Sequence, residues 1–317
     1  MIVCLSGGVG GAKLVRGLSA VLDPEALVVA INTGDDFTHL GLEIWPDFDT
    51  TLYTLAGLAN AQQGWGRENE TWRVMEELRA RDGEAWFSLG DKDIALHLLR
   101  AQLRHEGCTA TEIAAVLRQR FGVAAQITPA TDQAVRTIVH TPEGALGFQQ
   151  YFVGRRAEPE VRGLTFAGAE AARVAPTVLE ALRDPALEAI ILAPSNPFLS
   201  IEPILAVAEM RSALGASHVP IVAVTPIIGG AAVKGPTAKI MRELGMEISA
   251  AAVCRHYGDL IDGFVLDEVD AAEQPSIEAQ GVTCARAQTL MLSEKDKIEL
   301  AANVLAFART CLKRPPS

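Results

Sequence analysis

Positive charge is in short supply in this sequence: 28 Lys and Arg stand against 39 Asp and Glu, a formal net charge of -11 over 317 residues. General nucleic-acid binding needs a basic footprint, which this composition does not provide. A polyanionic ligand must therefore be met by local cations and backbone N–H groups, not by the overall field. Paired cysteines are also missing. Cys4, Cys108, Cys254, Cys284 and Cys311 are scattered with no C-x-x-C spacing, which argues against a zinc site and points to reduced thiols in a cytoplasmic protein. Cys4 falls in an apolar run and reads as buried packing. The six histidines have no metal-ligand spacing. No apolar run approaches the roughly 20 residues needed to cross a bilayer. No basic stretch precedes the first apolar run as it would in a signal peptide.

What is present begins at the N-terminus. Ile2-Val3-Cys4-Leu5 runs directly into Ser6-Gly7-Gly8-Val9-Gly10-Gly11-Ala12-Lys13, and an amphipathic stretch follows with Leu14, Val15, Leu18, Val21 and Leu22 on one face. This predicts strand, tight loop and helix. Glycines at such a junction let the backbone approach a ligand closely, and the free N–H groups of the helix favour a phosphate there. No Gly-Lys-Ser/Thr closes the loop as in a P-loop, and the glycine spacing is not that of a dinucleotide fingerprint. The alternative is a glycine-rich turn without a ligand.

Further apolar runs end in loop-forming residues: Leu27-Val28-Val29-Ala30-Ile31 before Asn32-Thr33-Gly34-Asp35-Asp36, Ala189-Ile190-Ile191-Leu192-Ala193 before Pro194-Ser195-Asn196-Pro197, and Pro220-Ile221-Val222-Ala223-Val224 before Thr225-Pro226. Near-continuous apolar runs read as strands buried on both faces. Helical patterns between them, one marked by Ile204, Leu205, Ala208 and Leu214, imply a Rossmann-like α/β fold: a doubly wound, mostly parallel sheet. Ligands of such folds sit beyond the carboxyl ends of the strands, so these distant loops are expected to share one crevice. Residues 1–317 read as a single α/β domain with a helical insertion at about 50–122, with helices over 50–60, 70–81, 94–105 and 110–120. Edge strands are expected around 147–156 and 161–167, and a last helix is capped by Ser293 with Asp296 three residues on.

Acidic residues cluster after the second strand: Asp35 and Asp36, then Asp47 and Asp49. Carboxylates beside a phosphate need a cation between them and the ligand, and Mg²⁺ takes one or two carboxylates with water and phosphate oxygens. Asp49 is the candidate metal ligand or general base, with a helix N-cap as its structural alternative, and Asp36 is a second candidate ligand. Gly90-Asp91-Lys92-Asp93 could serve a polar ligand or simply cap a helix. Thr131 and Asp132 follow a proline turn and either reach the crevice or close that turn. Ser195 and Asn196 offer short hydrogen-bonding groups at a strand end, and Ser200 could cap the following helix. The residues around Ser195 do not form a nucleophile elbow, which argues against a covalent role. Gly229-Gly230-Ala231-Ala232-Val233-Lys234 is a second glycine-rich loop, with Lys234 and Lys239 as phosphate-neutralising or merely solvated cations. Trp65, Trp72 and Trp86 in the insertion form either a platform for an aromatic ligand or ordinary packing.

Seven of these segments, residues 6–13, 32–36, 46–50, 89–93, 128–132, 195–201 and 226–236, taken together and in this order, resemble the 2-phospho-L-lactate transferase family of deazaflavin coenzyme F-420 biosynthesis. The resemblance implies a donor in which guanosine diphosphate activates a three-carbon acid: phospholactate, phosphoenolpyruvate or phosphoglycerate. The ribityl hydroxyl of 7,8-didemethyl-8-hydroxy-5-deazariboflavin attacks the phosphate bearing the acid, GMP leaves, and Mg²⁺ is required. Carried onto this chain, Gly7, Gly8, Gly10, Gly11, Lys13, Ser195, Asn196, Gly229, Gly230 and Lys234 are expected at the nucleotide. Asp49, Gly90, Asp91 and Lys92 are expected at the deazaflavin, and Asp49 and Asp36 at the metal. A related family of non-enzymatic, nucleotide-sugar-binding regulators shares the first two loops but has a Gly-Pro-Gly-Ser-type segment where this chain has Ala193-Pro194-Ser195-Asn196-Pro197. A nicotinamide-dependent oxidoreductase would suit the fold but lacks its fingerprint. A homodimer is compatible with exposed apolar helices.

Overall fold

The computed structural model describes residues 1–60, 65–233 and 235–314. Its strands, in chain order, are β1 (Ile2–Ser6), β2 (Leu27–Ile31), β3 (Phe37–His39), β4 (Leu42–Ile44), β5 (Gln126–Pro129), β6 (Arg136–Thr141), β7 (Gly144–Gly147), β8 (Gly163–Ala167), β9 (Ala189–Leu192), β10 (Ile221–Val224), β11 (Ile227–Ile228), β12 (Ala231–Ala232), β13 (Gly263–Asp267) and β14 (Thr283–Ala287). Seven of them form one sheet in the order β14-β13-β10-β9-β1-β2-β5, and every pairing in it is parallel. β1, β2, β9, β10 and β13 are buried at every residue, which is why they appear as unbroken apolar runs and not as alternating ones.

Alternate residues feed two cores. Val3, Leu5, Ile190 and Leu192 join Val178, Leu182, Ile204 and Leu214 on one face. Ile2, Cys4, Ala189 and Ile191 join Leu14, Leu18, Leu300 and Val304 on the other. The second layer contains the helix Gly8–Val21 and the C-terminal helix Glu294–Thr310. The latter starts with the expected reciprocal cap: Asp296 N–H donates to Ser293 Oγ at 3.2 Å, and Ser293 N–H to Asp296 Oδ2 at 2.7 Å. Leu14, Val15 and Leu18 are buried as the pattern predicts, while Val21 is exposed.

The chain winds outward from β1 through β2 to β5, then returns to the opposite side of β1 as β9 and continues to β14. The strand order therefore reverses between β1 and β9, and the crevice for a ligand opens beyond their carboxyl ends. The stretch between β4 and β5 contributes the helices Pro46–Leu55, Arg73–Arg79, Asp91–His105 and Ala110–Arg120. The first begins at Pro46, four residues before the expected start, because proline is well suited to an opening helical turn. The helix expected around Ile204 to Leu214 divides into Glu202–Leu205 and Met210–Gly215. The segments expected as edge strands behave differently: β8 belongs to a separate antiparallel sheet, β7-β6-β8, and Gln150–Gly154 is a π-helical turn. Among the described residues no helix is long and apolar enough to cross a membrane, and all five cysteines are free.

Candidate active site

A cleft of about 770 Å³ lies over the β1–β9 switch point. Gly7, Gly8, Gly10, Lys13, Asp49, Ser195 and Asn196 line it together, so loops nearly 190 positions apart in sequence do converge. The convergence depends on close backbone approach. A Cβ on Gly10 would sit 2.5 Å from Pro194 O, and one on Gly7 would meet Asp47 Oδ2 at 2.5 Å. Gly8 has φ +64°, a left-handed conformation suited to glycine. The helix that follows has no side-chain cap, so its first turn presents N–H groups at the cleft. Lys13 Nζ donates to Met291 O at 2.7 Å at the same end.

Ser195 and Asn196 are held by the protein as well as facing the cleft. Asn196 Oδ1 accepts from Phe198 and Leu199 N–H at 2.9 and 3.0 Å, and its Nδ2 donates to Thr237 Oγ1 at 2.9 Å. Asn196, and not Ser200, is thus the cap of the following turn. One amide hydrogen is left to offer a ligand.

Facing the glycine loop are four buried carboxylates: Asp35, Asp47, Asp49 and Asp93 all line the cleft. Asn32 Nδ2 donates to Asp35 Oδ1 at 3.0 Å and to Asp47 Oδ2 at 2.9 Å. One amide serving two carboxylates leaves them short of positive partners. Burial, then Asp47, holds Asp35 well above the usual carboxylate range, and burial pushes Asp47 up to about 6 against the hydrogen bonds from Asn32 and Gly8 N–H. Asp93 accepts from Tyr53 Oη at 2.7 Å and is pushed up to about 6, again mainly by burial.

Asp49 is not a helix cap. Trp45 occupies the cap position, and Asp49 Oδ1 accepts instead from Arg100 Nη2. Arg100 is 0% exposed. Its Nη1 donates to Glu43 O at 2.9 Å and contacts His97 Nδ1 at 3.1 Å, and its guanidinium carbon stands 4.2 Å from the Trp45 ring centre. Burial raises Asp49 while Arg100 opposes the rise. Burial, and then Arg100, pushes the His97 imidazole down to about 3. Aromatic side chains complete the cleft. Trp65, Trp86 and Phe87 line it, as do Phe148 and Phe152, whose rings stack at 5.4 Å. Trp72 packs against Trp65 outside the lining.

Several expected residues lie elsewhere. Gly11 does not line the cleft; it packs so tightly on Ser6 and Ser195 that a Cβ would collide with both hydroxyls. Asp36 turns to a second cavity of about 220 Å³, shared with Thr131 and Asp132. Asp132 there accepts from Thr111 N–H at 2.7 Å. Gly90, Asp91 and Lys92 are likewise absent from the cleft lining. Asp91 accepts from Thr71 Oγ1 at 2.6 Å and Val74 N–H at 3.1 Å, and Lys92 Nζ donates to Glu68 O and Asn69 O at 3.2 and 2.7 Å. This loop fastens the insertion together, and only its last residue, Asp93, reaches the cleft. Gly229 and Gly230, both at positive φ, form the two-residue turn between β11 and β12. Gly229 N–H is taken by Asp270 at 3.0 Å, and neither glycine lines the cleft. Lys239 is engaged by Glu243, Tyr151 and Pro159, and Lys234 lies outside the described residues. His97, Arg100, Phe148 and Phe152 were not expected from the sequence.

Residues 2–303 match the family described as 2-phospho-L-lactate transferase CofD. The chain is 42% identical to a phosphoenolpyruvate transferase of Streptomyces griseus, covering 93% of this chain and 94% of that one. It is 39% identical to a 2-phospho-L-lactate transferase of Methanosarcina mazei, covering 96% and 99%. In fold it is similar to a crystal structure of a UPF0052 family member from Bacillus halodurans, with a TM-score of 0.62, 14% identity and coverage of 96% and 98%. On sequence agreement over nearly its whole length, the chain belongs to the 2-phospho-L-lactate transferase CofD family, the transferases of coenzyme F-420 biosynthesis.

Proposed function

We propose that this transferase moves a phospho-three-carbon-acid group from a guanosine-diphosphate-activated donor to the ribityl hydroxyl of 7,8-didemethyl-8-hydroxy-5-deazariboflavin. The observation that carries this reading is that one cleft is lined both by a helix N-terminus without a side-chain N-cap and by a buried carboxylate, Asp49. The first suits a diphosphate; the second suits a hydroxyl that must lose its proton. The aromatic side chains that line the cleft suit a tricyclic ring.

In this reading the acceptor oxygen attacks the phosphorus bearing the acid. A new P–O bond forms, the P–O bond to GMP breaks, and the hydroxyl proton passes to Asp49. The product is a phosphodiester joining acid and acceptor. Gly10, Lys13 and the remaining amide hydrogen of Asn196 hold the donor's diphosphate. Such transfers depend on positioning and charge neutralisation more than on covalent chemistry by the protein.

Asp35 and Asp47 suit a magnesium ion, since they share one amide donor, Asn32, and line the cleft beside the glycine loop. Among the described residues no group of three His, Cys, Asp or Glu side chains is placed to hold a metal ion, so in this reading water and phosphate oxygens complete the ion's shell. When bound, the ion supplies the positive charge that lets a diphosphate approach these carboxylates. Asp36, facing the second cavity, is not part of this set.

The test is to supply the deazaflavin with each of the three activated acids in turn and follow products by mass spectrometry. One donor should yield a phosphodiester and an equal amount of GMP. Absence of both products with all three donors overturns the reading.

A further inference from the structure

Arg100 has a consequence for His97 that bears on which acceptors the cleft can take. A guanidinium has only donors, so the contact at 3.1 Å between Arg100 Nη1 and His97 Nδ1 requires Nδ1 to be the accepting nitrogen. The ring proton of the neutral imidazole is then on Nε2. Among the described residues no protein group is bonded to Nε2, and His97 lines the cleft. Beside it, Asp49 Oδ2 stands 3.8 Å from His97 Nδ1 and is buried without a partner. The imidazole that carries the N–H and the carboxylate with an unpartnered oxygen are therefore neighbours, and both residues line the cleft.

We infer that His97 and Asp49 form a donor–acceptor pair that grips two neighbouring hydroxyls of the acceptor, His97 Nε2–H donating to one oxygen while Asp49 accepts the proton of the other. The ligand class is a polyol, each of whose hydroxyls can both give and receive a hydrogen bond. Arg100 is the positioning residue: it fixes the direction of both partners. His97, held with Nδ1 occupied, acts as a donor to substrate and not as the base. This rests on the acceptor reading above and adds which part of the acceptor is recognised and by what.

The test is a cycle of two proteins and two ligands. Wild-type protein and His97→Asn are titrated with the ribityl deazaflavin and with the same ring bearing a plain alkyl chain, using ring fluorescence. His97→Gln, which keeps an N–H at similar reach, is the control. Wild type should prefer the ribityl compound, and His97→Asn should lose about 5- to 10-fold of that preference, the size of one hydrogen bond. His97→Gln should recover most of it, and KM for the acceptor should follow the same order with kcat changed less. In ¹⁵N-histidine spectra of the free protein, His97 should carry its proton on Nε2.

Preference retained in His97→Asn, a His97→Gln variant as impaired as His97→Asn, or a proton on Nδ1 would each overturn the pairing while leaving the acceptor assignment standing. Wild-type protein that binds neither compound overturns the acceptor assignment, and this proposal with it.

Discussion

Ser195 and Gly7 exchange two hydrogen bonds across the switch point of the sheet: Gly7 N–H donates to Ser195 Oγ at 3.2 Å, and Ser195 Oγ–H donates to Gly7 O at 2.7 Å. One hydroxyl thus satisfies both polar groups of a buried peptide and ties the loop after β9 to the loop after β1. Replacing Ser195 with Ala orphans both. A buried unsatisfied group costs about 1–3 kcal/mol, so urea unfolding of Ser195→Ala should show a loss in that range. Donor KM should rise as the glycine loop loosens. Unchanged stability together with unchanged donor KM would show that the exchange is dispensable.

The Arg100–Asp49 pair makes a sharper demand. Both groups are buried, and removing one partner of a buried pair costs about 3–5 kcal/mol because the other charge remains uncompensated. Arg100→Met should therefore be strongly destabilised at neutral pH, and the double variant with Asp49→Asn should regain part of the loss. Asp49→Asn alone keeps an oxygen for Arg100 but cannot take a proton. It leaves the Arg100 charge uncompensated and should lose some stability, and the folded variant should lose turnover by about 10²-fold or more. Full activity in that variant would remove Asp49 from the mechanism.

The convergence of Gly10, Asp49 and Asn196 could be read from the sequence because parallel strands put all their carboxyl ends on one edge. What could not be read has physical reasons. Gly229-Gly230 has the composition of a phosphate loop, and only the pairing of β11 with β12 marks it as a hairpin turn. Asp93, His97, Arg100 and Arg104 recur at helical spacing on Asp91–His105, a stripe that ordinarily faces water. Here the helix lies over the cleft, and Trp45 covers Arg100. Phe148 and Phe152 reach the cleft from just after β7 and from the π-helical turn, segments with no regular apolar period. Asp35 and Asp36 are adjacent, and nothing in their order shows which faces the ligand.

Asp93 predicts a pH signature. Burial pushes its carboxyl up to about 6 in the folded chain, whereas an unfolded aspartate titrates near about 3.9. The folded state then binds more protons than the unfolded one between those values, so this group's contribution is fully present below about pH 4 and is lost as pH rises to about 6. Asp93→Asn, which retains an acceptor for Tyr53, escapes that loss. Relative to wild type it should gain about 2 kcal/mol between pH 4 and pH 7, measured by urea unfolding at each pH. A difference that is flat with pH would mean that Asp93 ionises normally in the fold.

Gly10 supplies a separate test of the phosphate end. The Cβ of an alanine there would stand 2.5 Å from Pro194 O, a backbone atom, so the strain cannot be relieved by rotating a side chain. The helix Gly8–Val21 must instead move away from the loop after β9. Overpacking of this kind costs about 1–3 kcal/mol, and the first-turn N–H groups move with the helix. Gly10→Ala should therefore bind GDP at least about 10-fold more weakly by calorimetry, which corresponds to about 1.4 kcal/mol. Deazaflavin binding, which in the proposed reaction draws on Asp49 and the aromatic lining, should change much less. Equal weakening of both ligands would show that the two ends of the cleft do not act independently, and unaltered GDP binding would place the diphosphate elsewhere.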